Sequence, residues 1–253
     1  MGFELSRFSL LKKHKYISIN KLASILNYSK STIRRDLNNL SDIKLVQRTP
    51  GGAVLIRDQY TEDPLDIRQY TNIEKKRLIA DLAIDYIENY ASIFLDSSST
   101  CYFLAKKLKQ KQHAVIVTPN LITVNYLELN TNNTVYCIGG KVTDQRGGGP
   151  EAEIAIKNYF VDIMFFSCRG IDSNLGVSDR VETEASLKRT MSIQAKKVAL
   201  LVDSTKFNKH FLFKSIELSN IDILISDTAP SKEINTELLR ENPNMEIIYP
   251  EGD

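Results

Sequence analysis

What this 253-residue chain lacks narrows its class before any motif is considered. Cysteine is scarce: Cys101, Cys137 and Cys168 are odd in number, far apart and without paired metal-ligand spacing. A disulfide framework and a zinc site are therefore not expected, and the thiols read as reduced and mostly buried. No apolar run approaches the roughly eighteen residues that span a bilayer. The opening "MGFELSRFSLLKKHKY" lacks the apolar core and small-residue cleavage site of a secretory signal. No membrane contact is expected, and the location is expected to be cytoplasmic. There is no internal repeat, no low-complexity tract and no Gly-Lys-Ser/Thr phosphate loop, which argues against a nucleotide-driven switch.

Net charge is also small, at +2, yet it is unevenly placed. Residues 1–57 carry +8 and the remainder −6. A basic head on an acidic body suits a protein that meets a polyanion with one end only. At 42% hydrophobic content the chain can bury one substantial core beside a smaller domain.

The head, residues 1–57, reads as three short helices and a hairpin. Phe8 and Leu11 give the first helix an apolar side, and Leu22, Ile25 and Leu26 give the second its inward face. Asn27-Tyr28 turns into the third, "SKSTIRRDLNNL". There Ile33, Leu37 and Leu40 share one face, while Ser31, Arg34, Arg35 and Asn38 share the other. Ser29 can cap this helix by accepting from the backbone N–H of Ser31 or Thr32. "LVQRTPGGAVLI" then reads as two β-prone runs around Pro50-Gly51-Gly52, a hairpin.

Helix, turn, helix and hairpin together predict a winged helix-turn-helix. Arg34 and Arg35 can fork to guanine or phosphate, and Ser31 and Thr32 can reach phosphates or bases, since the major groove admits one helix. Arg48, on the hairpin, is expected at the DNA backbone or minor groove. A small interaction module with a solvated basic face is the plainer alternative.

Residues 58–72 are polar and read as a linker. From residue 73 to 253 helices and strands alternate: helix 73–90, strand 92–96, helix 100–108, strand 114–118, helix 121–129, strand 134–140, and a helix around 154–159. The pattern continues with strand 161–167, helix 182–194, strands 197–203 and 221–227, helix 232–240 and strand 245–250. Such alternation predicts an α/β domain with a largely parallel sheet, with ligands bound at the strand C-termini.

The run "KLASILNYSKSTIRRDLNNL" followed by "RTPGGA" closely resembles the N-terminal signature of the DeoR-type bacterial transcriptional regulators. The recognition helix of that family carries Ser-x-x-Thr-Ile-Arg-Arg-Asp-Leu and its wing ends in Gly-Gly-Ala. The body resembles the family's effector domain, so the likeness spans nearly the whole chain. It implies a sugar-phosphate isomerase type of α/β fold that senses phosphorylated sugars, with operator DNA as the second partner and no cofactor.

Residues for such an effector can be argued on their own chemistry. "FLDSSST" sets Asp96 at a strand end, then Ser97, Ser98, Ser99 and Thr100 at a helix N-terminus, where free N–H groups and the positive helix end suit a phosphate. A serine cluster is equally a good N-cap. Thr118 and Asn120 in "VTPN", and Gly139 and Gly140 in "IGGK", match family positions, although Gly-Gly is also an ordinary turn. "VETEASLKRTM" resembles a family helix and places Glu184 and Lys188 at i and i+4, a spacing that also suits a surface ion pair. "LLVDSTKF" resembles the strand-loop in which Asp203 and Lys206 close the pocket. Arg169 in "SCRGID" is a further candidate.

Catalysis is the competing reading. Aldose–ketose exchange needs a general base, for which Asp96, Glu184 and Asp203 are the obvious carboxylates. Fold likeness does not carry activity, and the chain lacks the Asp-Gly-Ala-Asp-Glu and Lys-Gly-Gly-Gly-Gly-Ala type segments of ribose-phosphate isomerases. A non-enzymatic regulator, read as a repressor of a sugar or sugar-derivative operon, is expected. One recognition helix reads few base pairs, so a homodimer or homotetramer is expected too.

Overall fold

The computed structural model describes residues 16–42, 46–55 and 65–250, and the chain divides into two compact units, 1–61 and 62–253. The helix expected around Phe8 and Leu11 lies outside the described residues.

In the first unit, strand β1 (Tyr16–Ser18) leads into helix α1 (Ile19–Leu26), then α2 (Lys30–Asp42), β2 (Val46–Thr49) and β3 (Gly52–Leu55). Ser18 caps α1 by accepting from Lys21 N–H at 3.2 Å, and Asn27 ends it in the left-handed region at φ 54°. The three strands form an antiparallel sheet in the order β1-β3-β2. The sequence does not announce β1, and its presence explains the second glycine of the turn. A Cβ on Gly52 would stand 2.5 Å from the Ile17 carbonyl oxygen, so any larger residue would push β1 away. Leu22 is buried as expected, whereas Ile25 is 48% exposed: on an eight-residue helix only a narrow stripe meets the small core.

The second unit begins earlier than expected. α3 (Leu65–Arg68) is helical with Leu65 and Arg68 buried, so residues 65–72 of the expected linker belong to the second unit. α4 (Ile73–Ala83) stops short of Tyr90 and passes into a 3₁₀ turn, Ile84–Tyr86. Then come β4 (Ser92–Leu95), α5 (Ser99–Lys107), β5 (Val115–Thr118), α6 (Leu121–Asn130) and β6 (Thr134–Cys137). A hairpin that periodicity does not reveal follows, β7 (Lys141–Thr143) and β8 (Arg146–Gly148), with Asp144 and Gln145 at positive φ in its tip. Positive φ at both central residues is what a tight hairpin turn demands.

Helix α7 runs from Pro150 to Ile156, earlier than the expected 154–159, because Pro150 presets the first helical φ. The remaining elements are β9 (Val161–Phe166), β10 (Gly170–Asp172), β11 (Gly176–Asp179), α8 (Glu182–Ile193), β12 (Ala195–Val202), β13 (Phe213–Lys214), β14 (Ile223–Ser226), α9 (Lys232–Glu241) and β15 (Glu246–Ile248).

Seven parallel strands form the main sheet, in the order β15-β14-β12-β9-β4-β5-β6. Alternate residues feed two cores. Phe94, Met164, Phe166, Leu200 and Leu224 join Ile156 of α7, Leu187 of α8 and Leu238 of α9 on one face. Ile93, Leu95, Phe165, Leu201 and Ile225 join Ile79 of α4, Leu104 of α5 and Leu127 of α6 on the other. Both faces are covered, which is why these strands read as nearly continuous apolar runs. Each such side chain taken from water contributes about 1.5–3 kcal/mol.

The strand order fixes where a ligand can sit. From β4 the chain moves outward through β5 and β6, then returns to place β9 on the other side of β4. Loops after β4 and β9 therefore diverge, opening a crevice at the carboxyl ends of those two strands.

Candidate functional site

The polar face of α2 is built as its sequence suggests. Ile33, Leu37 and Leu40 are buried, and Ser31, Arg34, Arg35 and Asn38 are exposed. Ser29 Oγ accepts from Thr32 N–H at 3.1 Å and lies 2.7 Å from Ser31 Oγ and 2.9 Å from Thr32 Oγ1, so the first turn carries a linked trio of hydroxyls. Arg48 also makes contacts within this unit. Its Nη1 donates to the Arg34 carbonyl at 3.2 Å and to Asn38 Oδ1, joining β2 to α2. Arg34 and Arg35 keep their side chains in solvent.

In the second unit the β4/β9 crevice opens into a cavity of about 330 Å³. Asp96, Ser97, Ser98, Ser99 and Thr100, following β4, form one wall; Ser167, Cys168 and Arg169, following β9, form another, and Lys206 enters after β12. The Ser97–Thr100 wall is the entry to α5. Ser98 takes the N-cap, accepting from Cys101 N–H at 3.1 Å, with extended backbone at φ −75°. The N-terminus of α8 supplies Thr183 and Glu184. Two positive helix ends thus face one space.

Asp96, 2% exposed, ties the crevice together. Its Oδ1 accepts from Ser98 N–H at 2.8 Å and its Oδ2 from Ser167 N–H at 3.0 Å, bridging the loops after β4 and β9. Lys188 stands beside it at 3.6 Å and donates to both carboxylate oxygens of Asp179 at 2.9 Å and to the Ser167 carbonyl at 2.7 Å. Desolvation opposes its charge, and the Asp179 and Asp96 carboxylates outweigh that, holding its pKa above the ordinary lysine value. Lys188 therefore pairs with those carboxylates, while its expected i, i+4 partner Glu184 meets Arg146. Lys206 Nζ donates to Ser167 Oγ at 2.8 Å and lies 3.7 Å from Asp203.

Of the residues expected at an effector, Asp96, Ser97, Ser98, Ser99, Thr100, Arg169, Glu184, Lys188 and Lys206 line the cavity. Thr118, Asn120, Gly139, Gly140 and Asp203 do not. Thr118 Oγ1 accepts from Asn120 N–H at 3.2 Å, and Asn120 caps α6 through Ile122 and Thr123 N–H. Gly140, at φ 101°, lets the chain pass against the Gly148 carbonyl, where any Cβ would collide. Asp203 caps the 3₁₀ turn of Ser204–Lys206.

Sequence reasoning missed Arg68, Lys141, Arg146 and Asp179, which also line the cavity, and Lys76 behind it. Six cationic side chains among the described lining residues face three carboxylates, so the space favours an anion. Lys76 is buried, and desolvation, then the nearby Lys206, Arg169 and Arg68 charges, bring its pKa down to about 7 against the opposing pull of Asp203. A signal for it existed: Lys76 shares the helical spacing of Ile79, Ala80 and Ala83, the buried stripe of α4. For Arg68 and Arg146 none did, because the four-residue helix α3 and the β7–β8 hairpin that carry them have no periodic pattern. Burial pushes the Cys168 thiol up to about 12, leaving it inert.

Residues 8–59 match the family described as DeoR-like helix-turn-helix domain, and residues 71–228 match DeoR C terminal sensor domain. The chain is 34% identical over 212 residues to the L-fucose operon activator of Haemophilus influenzae, covering 83% of this chain and 85% of that one. It is 30% identical over 222 residues to a putative aga operon transcriptional repressor of Escherichia coli O157:H7, covering 86% and 82%. Among solved structures, ribose 5-phosphate isomerase A from Methanocaldococcus jannaschii superposes with a TM-score of 0.41 at 13% identity, over 54% of this chain and 55% of that one, a likeness too low to carry an argument.

Proposed function

Because the chain belongs to the DeoR family of transcriptional regulators, we propose that it represses a sugar or sugar-derivative operon and that a phosphorylated sugar or related anion in the cavity relieves this. The observation that carries the reading is the convergence at one crevice of the α5 and α8 N-termini with Lys206 and Arg169. Such positive helix ends and cations bind phosphate without needing to do chemistry on it. Polar groups gathered at strand ends around such a crevice fix a small ligand's orientation.

The carboxylates support sensing over turnover. Asp96 and Asp179 share Lys188, and Glu184 is held by Arg146, so each is committed to a cation. A general base would need to reach a substrate carbon from such a pairing. DNA recognition is assigned to Arg34 and Arg35 with Ser29, Ser31 and Thr32, while Arg48 supports the helix. One recognition helix calls for a symmetric partner, so we assign a homodimer or homotetramer acting in the compartment that holds the DNA. A ligand shifts operator occupancy only by its differential affinity for two arrangements. A thermal-shift screen of phosphorylated sugars, followed by titration of each hit against the protein–operator complex, tests the reading. Hits that stabilise the protein and leave operator binding untouched would overturn it.

A further inference from the structure

The cavity is completed by a residue that no strand of the main sheet delivers. Arg68 belongs to α3, the first described element after the DNA-binding unit, and it is 6% exposed. This short strap is tied down at both ends. Leu65 N–H donates to Asp144 Oδ2 at 3.0 Å, and Lys76 Nζ donates to the Arg68 carbonyl and, at 2.6 Å, to that of Thr71. The same Asp144 oxygen accepts from Arg146 Nη2 at 3.0 Å and lies 3.9 Å from Arg68 Nη2. One carboxylate oxygen at a hairpin tip thus serves a backbone amide and two guanidinium groups, and both guanidinium groups line the cavity.

Of these three arms the one to Arg68 is the longest, since 3.9 Å exceeds hydrogen-bond reach. A phosphate offers that planar fork two parallel acceptors, a geometry in which arginine outperforms a point charge. Any anion in the cavity therefore competes with Asp144 for Arg68. We propose that Arg68 is the residue that reads ligand occupancy: it exchanges Asp144 for the anionic group of the ligand and so pins the strap 65–71 against the filled cavity. This rests on the cavity's being an anion site, as set out above. Reciprocity requires that anything loosening the strap also weaken ligand binding.

Amide hydrogen exchange on the full-length protein tests this, with inorganic phosphate, ribose 5-phosphate and glucose 6-phosphate as probes and calorimetry reporting their binding. In the wild type a bound probe should slow exchange across 65–71 by about threefold or more, because local opening governs that rate. Arg68→Gln should still bind the probe, more weakly, with no change in strap exchange, and Arg68→Lys should restore only part of the effect. Asp144→Asn supplies an independent arm: with the competitor's charge removed, probe affinity should rise several-fold, an outcome a purely structural Asp144 would not produce. Equal strap protection in wild type and Arg68→Gln, or weaker binding in a folded Asp144→Asn, overturns the inference while leaving the anion site standing. If none of the three probes binds the wild type, the reading of the cavity fails and this inference falls with it.

Discussion

Lys188 holds Asp179 by a two-armed ion pair, Nζ to each carboxylate oxygen at 2.9 Å, with both side chains withdrawn from water. Asp96 leans on the same ammonium at 3.6 Å. Removing the cation would strand two buried carboxylates. Lys188→Met should therefore lower the stability of the sensor unit by about 3–5 kcal/mol. Guanidinium unfolding at neutral pH measures this; a drop below about 1 kcal/mol would mean that water already reaches the pair.

Arg34 and Arg35 are expected to contact DNA, and Arg48 to hold the helix that presents them. Replacing Arg34 and Arg35 by Ala should abolish specific operator binding in a gel shift without altering the melting temperature, because a bidentate arginine–base pairing is worth about 1–3 kcal/mol. Arg48→Ala should do the reverse, lowering the head's melting temperature while leaving the salt dependence of DNA binding unchanged, since no phosphate partner disappears. A reduced salt slope in Arg48→Ala would return that residue to the DNA surface.

Lys76 makes stability depend on pH. Its native pKa of about 7 lies below the ordinary lysine value of 10.5, so between those two pH values the unfolded chain binds a proton that the native protein does not. Stability contributed by this group must then rise with pH across that window. Denaturation of wild type and Lys76→Met at pH 7 and pH 9 isolates it. The wild type should gain on the variant at the higher pH, and parallel behaviour would show that Lys76 stays charged.

Lys206 lines the cavity beside Ser167, and on the proposed function it meets the ligand anion there. Lys206→Glu should keep operator binding and lose the response to sugar phosphate, with Lys206→Gln intermediate. Titration of the protein–operator complex decides, once circular dichroism has matched the variants. A response at unchanged ligand concentration in Lys206→Glu would place the anion elsewhere.

Local pattern was enough for much of this molecule. The 3.6-residue spacing of Ile33, Leu37 and Leu40 against Arg34 and Arg35, the Ser29 cap, and the apolar strands of a two-sided sheet all follow from neighbours in sequence, because secondary structure and its buried face are set within a few residues. The strand-end loops after β4, β9 and β12 could be found the same way. Tertiary structure alone decided which loops share a space. Strand order put the β4 and β9 ends together and left Asn120 to cap α6, with Thr118 accepting from Asn120 N–H, though all of these lie at strand ends. Packing across the fold also sent Lys188 to Asp179 instead of Glu184. Arg68, Asp144 and Arg146 met only through a strap and a hairpin tip far apart along the chain. Charge pairing in a buried space depends on distances across the fold, and spacing along a single chain carries no record of them.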